Sequence, residues 1–263
     1  MVLMESAELI AFDLDQTLTE SKSPLDGEMS SLLCSLLKIK KIAVTSGASF
    51  SQFENQFLGN LSCPPENFKN LYLLPTNGAS LYEYDPSFIG AGGNWRQIYH
   101  EELAENEKKD IFDAFEKSLA EGGYRKPDKI YGALIEDRDS QVTFSGLGSE
   151  APLSLKREWD PDFKKREKIA VILRGRLPSF AVSVGGATSI DVTKKGIDKA
   201  YGLKKLTERL NLEPERVLFV GDALFPGGND SSVVSLGVKT VSVSDPGIGD
   251  TKGFIRNLLA NKQ

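Results

Sequence analysis

Residues 8–19 read ELIAFDLDQTLT, a short apolar run that leads into two aspartates, Asp13 and Asp15. A run of this length and apolarity is typical of a strand buried on both faces, as in a parallel sheet. In such sheets, ligands bind beyond the carboxyl ends of the strands. The segment therefore predicts both a fold class and the place of a functional site, which is the polar stretch after the strand.

The chain on both sides of this segment alternates between strand-like and helix-like stretches. That order predicts a parallel sheet joined by right-handed helical crossovers. The predicted strands are residues 8–14, 41–45, 71–74, 216–220 and 240–243, and the predicted helices are residues 27–38, 50–57, 199–210, 231–236 and 254–259.

The middle of the chain has a different pattern. Residues 85–94 carry glycine and proline and indicate a boundary after about Tyr84. Beyond it, amphipathic helices and short strand-like runs indicate a separate α+β module. Its predicted elements are helices at residues 101–121 and 161–174 and strands within residues 129–147 and 180–191.

Together these patterns predict an α/β fold with a Rossmann-like parallel-sheet core and an inserted α+β cap domain. The core comprises residues 1–84 and 192–263, and the cap comprises residues 85–191.

The composition argues against several classes of function. The net charge is −5, which argues against a nucleic-acid partner because such binding needs a basic face. The chain has one histidine and two cysteines, which argues against histidine-based metal sites and a disulfide framework. We expect no signal peptide, because no basic flank precedes the first apolar stretch. No apolar run approaches the ~18 residues of a membrane span. We expect a cytoplasmic monomer or homodimer without a membrane partner.

Three polar clusters follow apolar strands, and they contain the residues that can perform chemistry. Asp13 and Asp15 follow the first strand, Ser46 the second, and Asp222 a later one, with a Gly-Gly-Asn-Asp turn at residues 227–230. Of two such carboxylates, one can attack phosphorus and the other can transfer the leaving-group proton. Because both are anionic, like a phosphate, the site needs a hard divalent cation, for which Mg²⁺ is suited.

The order of these motifs resembles the haloacid dehalogenase superfamily of phosphatases and phosphomutases. Asp13, Asp15 and Thr17 match its D-x-D-x-T signature. The resemblance implies that Asp13 forms an aspartyl-phosphate and that Asp15 is the general acid and base. It further implies that Ser46 and Lys199 contact the phosphoryl group.

The same resemblance assigns the remaining site residues, with Mg²⁺ as the cofactor. Taken singly, each motif also fits a helix cap, a solvated lysine or a turn, but their joint placement at strand ends favours an active site. The implied metal ligands are Asp13, Asp15, Asp222 and Asp230, and the implied substrate contacts are Thr17, Asn77, Arg138, Ser189, Asp191 and Asn229.

A narrower resemblance is to the eukaryotic-type phosphomannomutases. The loop GDALFPGGND at residues 221–230 is similar to theirs, as are SVGGATSIDV at residues 183–192 and IEDR at residues 135–138. This resemblance implies an α+β cap whose side chains bind a hexose phosphate.

The cap also departs from that family. A mutase must hold a bisphosphorylated intermediate, so it needs a second anion site, which arginines supply well. Arg138 is retained, but Tyr131, Ser149 and Lys156 stand where further arginines are expected, and Thr45-Ser46-Gly47 is similar to the phosphatase form. Arg157, Arg174 and Arg176 are alternative cations.

These departures lead to the prediction of a Mg²⁺-dependent phosphohydrolase that acts on a sugar phosphate or similar small phosphomonoester. The alternative is a phosphomannomutase, which returns the phosphoryl group to another sugar oxygen. A third possibility is a catalytically idle binding protein of the same fold, which the complete catalytic set argues against. All three have a small phosphorylated metabolite as ligand.

Overall fold

The computed structural model describes residues 6–90, 93–244 and 246–260. In chain order the strands are β1 (Leu9–Asp13), β2 (Lys41–Thr45), β3 (Leu71–Leu74), β4 (Ser80–Tyr84), β5 (Trp95–His100), β6 (Ile135–Asp137), β7 (Gln141–Ser145), β8 (Phe180–Gly185), β9 (Ser189–Lys194), β10 (Val217–Gly221) and β11 (Lys239–Ser242).

Helices separate some of these strands and follow the last of them. They are α1 (Gly27–Leu37), α2 (Phe50–Gln56), α3 (Glu105–Gly122), α4 (Leu153–Trp159), α5 (Lys164–Arg176), α6 (Lys199–Leu210), α7 (Ser231–Val234) and α8 (Ile248–Ala260), with short helical turns at Leu58–Asn60, Pro65–Asn70, Pro75–Gly78 and Pro214–Arg216. No helix in the described ranges has both the length and the apolarity that a bilayer span requires.

The chain forms two compact units, one running to His100 and resuming at Asp198, the other Glu101–Ile197. The first unit contains a seven-stranded sheet in the order β11-β10-β1-β2-β3-β4-β5. The strands from β11 to β3 are parallel, and β4 and β5 are added antiparallel. This is the α/β, Rossmann-like core that the sequence predicts.

Strand β1 lies at the centre of this core. Leu9, Ile10, Ala11 and Phe12 are all inaccessible to solvent. Ile10 and Phe12 pack into one apolar cluster, and Leu9 and Ala11 pack into another. Because successive side chains of a strand point to opposite faces, the sheet is covered on both sides, which explains the unbroken apolar run in the sequence.

The limits of the two units differ from the predicted ones. Residues 95–100 form β5, which pairs with β4 in the core sheet, so the core continues beyond residue 84. Trp95 packs its ring against Tyr84 and Phe68, and this aromatic contact joins the hairpin to the core. The described residues between Tyr84 and Trp95 therefore lie within the core unit, whose first stretch ends at His100 and not at residue 84.

The second unit contains a four-stranded antiparallel sheet in the order β6-β7-β9-β8. Val142, Phe144, Ile190 and Val192 pack with residues of α3 and α5 in one apolar cluster. The predicted limit at residue 191 divides β9, which extends to Lys194. Helix α4 was not predicted, because its short run of mixed polarity has little helical periodicity.

Helix α6 packs unusually closely against the turn that follows β3. A Cβ atom on Gly202 would lie 2.5 Å from the Cα atom of Gly78, and Gly78 has a positive φ of 83°. Real Cβ atoms do not approach backbone this closely, so both positions require glycine. The close contact fixes the first turn of α6, which carries Lys199.

We expect Gly202→Ala to lower the free energy of unfolding by about 2 kcal/mol, since the added methyl group overpacks a backbone contact. A Cβ atom on Gly253, in α8, would meet no such neighbour within 4 Å, and Gly253→Ala should stabilise the protein by about 0.5–1 kcal/mol. Denaturant unfolding of both variants measures these values. Equal effects from the two substitutions would contradict the close contact.

Candidate active site

The carboxyl ends of β1, β2 and β10 bring three predicted residues to one edge of the core sheet. Asp13 ends β1 and lies in register with Thr45 of β2, so Ser46 is the first residue beyond β2. Asp222 is the first residue beyond β10. Because these strands are parallel neighbours, their polar termini converge as the sequence predicts.

Lys199 joins this cluster from the first turn of α6. Asp198 caps that helix, its side chain accepting a hydrogen bond of 2.9 Å from the Tyr201 backbone N–H. Lys199 Nζ lies 2.5 Å from Asp13 Oδ1 and 2.5 Å from Asp230 Oδ1. The Lys199 side chain is only 1% exposed, so its ammonium is a buried bridge between two carboxylates.

Asp13, Asp222 and Asp230 form an acidic cluster in which one oxygen of each carboxylate lies within 4.8 Å of the others. Burial raises the pKa of Asp13, and so do the charges of Asp230 and Asp222, while Lys199 lowers it; the net pKa is well above the usual range. Burial opposes the charge on Lys199, but Asp13 and Asp230 raise the pKa of its ammonium above the ordinary value.

This donor set fits a divalent cation. Three carboxylates face the single ammonium of Lys199, and the raised pKa of Asp13 reflects, besides burial, the negative charge that remains. Hard cations such as Mg²⁺ take carboxylate oxygens as ligands. Asp13, Asp222 and Asp230 would hold the ion, and once bound it would supply positive charge to the phosphoryl oxygens.

A glycine makes room for Asp230 in this cluster. A Cβ atom on Gly221 would lie 2.3 Å from Asp230 Oδ2. The same carboxylate accepts a hydrogen bond of 3.1 Å from the Ala223 N–H, and the Asp230 N–H donates to the Ala223 carbonyl. The loop after β10 thus closes on itself and presents Asp230 to Lys199.

The carboxylate of Asp15 has other partners. Its Oδ1 accepts from the Lys22 backbone N–H at 2.7 Å and from Gln56 Nε2 at 3.1 Å, and its Oδ2 accepts from Ser46 Oγ at 3.2 Å. Asp15 is absent from the acidic cluster, so its predicted role as a metal ligand stays a prediction. The hydroxyl of Ser46, predicted to contact phosphate, also orients Asp15.

Thr17, Asn77 and Asn229 belong to the same unit. Thr17 is fully buried, and its Oγ1 has no hydrogen-bond partner in the described part of the chain. Asn77 has a left-handed backbone with a φ of 55°, and its N–H donates to the Ser46 carbonyl at 2.8 Å. Asn229 precedes Asp230 in the loop after β10. Their predicted contacts with substrate stay predictions.

Gln16, which lies between Asp15 and Thr17, has a left-handed backbone. Its φ is 63°, a conformation that costs a residue with a Cβ atom roughly 1–2 kcal/mol. The Gln16 side chain accepts a hydrogen bond of 3.2 Å from the Ser21 N–H, and its carbonyl accepts one of 2.6 Å from the Gly247 N–H. These bonds offset the conformational cost.

The predicted cap residues all lie in the second unit. Arg138 pairs with Glu136 at 2.6 Å, and Asp191 accepts a hydrogen bond of 2.8 Å from Thr143 Oγ1. Ser189 lies in register with Ser145 of β7. Ser189 and Asp191 thus belong to β9, and Arg138 directly follows β6 of the same small sheet.

A second anion site in the cap would need positively charged side chains, and three further candidates for it contact protein oxygen atoms. Lys156 Nζ lies 3.3 Å from the Ser149 carbonyl oxygen. Arg174 pairs with Glu167 at 2.6 Å, and Arg176 pairs with Glu121 at 2.5 Å.

Sequence patterns gave no indication of Gln56. Its side chain is 7% exposed and also donates to Thr19 Oγ1 at 2.9 Å. A glutamine in the last turn of a short helix matches no catalytic motif, which is why the sequence did not indicate it. The structure makes it a positioning residue for Asp15.

We expect Gln56→Leu to lower kcat about tenfold while KM changes little, since a misplaced acid–base group costs rate more than substrate binding. The exposed neighbour Asn55 supplies the control Asn55→Leu, which should leave both constants unchanged. Steady-state kinetics on a phosphate ester make the comparison. A Gln56→Leu variant with unaltered kcat would show that Gln56 does not orient Asp15.

Comparisons with known proteins show the family of the chain. The family model described as "Eukaryotic phosphomannomutase" matches residues 29–261. Phosphomannomutase 2 of Dictyostelium discoideum is 31% identical over 231 residues, covering 85% of this chain and 85% of the relative. A phosphomannomutase of Encephalitozoon cuniculi is 29% identical over 249 residues, covering 90% of this chain and 89% of the relative.

Solved structures share the fold at low sequence identity. An IMP-bound, N-terminally truncated Plasmodium falciparum IMP-nucleotidase has a TM-score of 0.70 and 17% identity, covering 98% of this chain and 69% of that one. A haloacid dehalogenase-like hydrolase of Bacteroides thetaiotaomicron has a TM-score of 0.63 and 15% identity, covering 96% and 99%. By its sequence, the chain belongs to the eukaryotic phosphomannomutase family.

Proposed function

We propose that this protein is a Mg²⁺-dependent phosphomutase that moves a phosphoryl group between two oxygens of a hexose phosphate by way of Asp13. The observation that carries the proposal is the contact of Lys199 Nζ, at 2.5 Å, with both Asp13 and Asp230. It joins a nucleophile, a charge-neutralising lysine and a metal-binding carboxylate from three distant parts of the chain.

The proposed reaction has two transfers. In the first, a carboxylate oxygen of Asp13 attacks one phosphorus of a hexose bisphosphate, the bond from that phosphorus to the sugar oxygen breaks, and Asp15 protonates that oxygen, so that a hexose monophosphate is released. In the second transfer, the free hydroxyl of a hexose 1-phosphate attacks the aspartyl-phosphate, Asp15 takes up its proton, and a hexose bisphosphate forms again. Lys199 offsets the negative charge that develops on the transferring group.

The assignment as a mutase, and not a hydrolase, rests on the family. The relatives that cover most of this chain are phosphomannomutases, and the hydrolases share only its fold. The sequence departures favoured hydrolysis, and the comparisons reverse that preference. In this proposal, Asp15 activates a sugar hydroxyl in place of water.

A phosphatase remains the second candidate, and the cations of the cap favour it. Arg138 pairs with Glu136, Arg174 with Glu167 and Arg176 with Glu121. Charges neutralised in this way attract a second phosphate less strongly than unpaired ones. An enzyme without a second anion site would release the phosphoryl group to water.

One assay separates the two candidates. The protein is incubated with mannose 1-phosphate, Mg²⁺ and a hexose bisphosphate primer, and phosphorus NMR follows the products. A mutase produces mannose 6-phosphate and little inorganic phosphate. Stoichiometric inorganic phosphate without mannose 6-phosphate would establish the phosphatase, and no turnover with either product would overturn both.

A further inference from the structure

The cap sheet has one apolar and one polar face. In β7, Val142 and Phe144 pack into the apolar cluster, so the alternate residues Gln141 and Thr143 belong to the opposite face. Thr143 lies in register with Asp191 of β9. Two of the predicted substrate contacts, Ser189 and Asp191, therefore share a face with residues that no sequence motif indicated.

A chain of hydrogen bonds on this face ends at Asp191. Gln141 Nε2 donates to Thr143 Oγ1 at 2.8 Å, and Thr143 Oγ1 donates to Asp191 Oδ1 at 2.8 Å. The direction is fixed by chemistry, because an amide nitrogen only donates and a carboxylate only accepts. The Thr143 hydroxyl has one proton. Because its oxygen accepts from the Gln141 amide, that proton is donated to Asp191.

The neighbouring strand also constrains Asp191. A Cβ atom on Gly185 of β8 would lie 3.0 Å from Asp191 Oδ2, so the glycine leaves space beside that oxygen. The buried guanidinium of Arg166 donates to the carbonyls of Gly185 and Gly186 at 3.0 and 2.6 Å, and pairs with Asp160 at 2.8 Å. The turn opposite Asp191 is thereby fixed.

We propose that Gln141 and Thr143 are positioning residues that hold the Asp191 carboxylate to accept hydrogen bonds from hydroxyl groups of a sugar phosphate. The inference rests on the proposed function and narrows it. A carboxylate repels a phosphate but accepts from hydroxyls, so Asp191 recognises the neutral, hydroxylated part of the substrate and not a distal phosphate.

A second group on this face fits the same ligand chemistry. Ser145 lies in register with Ser189, and its buried Oγ has no hydrogen-bond partner among the described residues. Buried hydroxyls are normally satisfied, so this one favours a hydroxylated ligand near the strand ends of β7 and β9.

The test compares the binding of two ligands by calorimetry, in the full chain with Asp13→Asn to prevent turnover. The ligands are mannose 1-phosphate and inorganic phosphate, each with Mg²⁺. Thr143→Val keeps the side-chain shape but removes the hydrogen bond, and we expect it to raise the ratio of the mannose 1-phosphate Kd to the phosphate Kd about tenfold. Thr143→Ser, which keeps the hydroxyl, should have the same ratio of Kd values as the protein with Thr143.

Thr193 supplies the matched control. It is a buried threonine in β9 whose Oγ1 donates to the Ile197 carbonyl at 3.1 Å, so Thr193→Val should leave the ratio unchanged. An unaltered ratio in Thr143→Val, or an equal shift in Thr193→Val, would overturn the positioning role. If the parent protein bound mannose 1-phosphate no better than phosphate, the proposed function would fail first, before any variant is considered.

Discussion

Replacing Asp13 with asparagine is expected to lower the rate of phosphoryl transfer by about 10⁴-fold or more, as is usual when a covalent nucleophile is removed. An amide is a poor nucleophile toward phosphorus, and no other described carboxylate contacts Lys199 except Asp230. Product formation from mannose 1-phosphate measures the loss.

The fold should survive this substitution. Asp13→Asn leaves Lys199 paired with Asp230 and removes one negative charge from a buried cluster that already raises the pKa of Asp13. We therefore expect a melting temperature within a few degrees of the wild-type value. A variant with normal stability and normal turnover would show that Asp13 is not the nucleophile.

Asp15→Asn distinguishes the two carboxylates. With p-nitrophenyl phosphate the leaving group needs no proton, so Asp15→Asn should still form the aspartyl-phosphate at a substantial rate. With a sugar phosphate the same variant should lose about 10²–10⁴-fold, the usual contribution of a general acid. Equal losses with both esters would contradict the assigned role of Asp15.

The second large effect is expected at Lys199. Lys199→Met leaves Asp13 and Asp230 buried without their shared ammonium, and removing one partner of a buried ion pair typically costs about 3–5 kcal/mol of unfolding free energy. Loss of charge neutralisation should also reduce turnover about 10²–10³-fold. Denaturant unfolding and steady-state kinetics measure the two effects.

A lysine on the same helix provides the control. The Lys204 side chain is 65% exposed and lies 3.9 Å from Glu208, so Lys204→Met should change stability by no more than about 0.5 kcal/mol. If Lys199→Met were as stable and as active as Lys204→Met, the buried bridge would have no role in the site.

Much of the core was predictable from the sequence. The burial of β1 on both faces explains why its apolar run predicts a parallel strand. The polar residues at the ends of β1, β2 and β10 converge because these strands are parallel neighbours. The β4–β5 hairpin was missed because Trp95 and the residues after it alternate weakly in burial. Their pairing depends on the ring contacts of Trp95 with distant residues.

The finer features of the site depend on tertiary contacts that sequence spacing does not reveal. Gln56 reaches Asp15 from 41 positions along the chain, and Lys199 reaches Asp13 from 186. The contact of Lys199 with Asp13 relies on the close backbone contact of Gly78 with Gly202. Likewise, the link from Thr143 to Asp191 follows from the register of β7 with β9, which no local pattern specifies.

The central claim is that Asp13 carries the phosphoryl group, and chemical trapping tests it most directly. The protein is mixed with mannose 1-phosphate, the hexose bisphosphate primer and Mg²⁺, quenched, and treated with borohydride, which reduces an acyl phosphate to an alcohol. Peptide mass spectrometry should then find homoserine at position 13, only when substrate is present. Reduction at Asp15, or no reduced residue in a protein that is turning over substrate, would contradict the account.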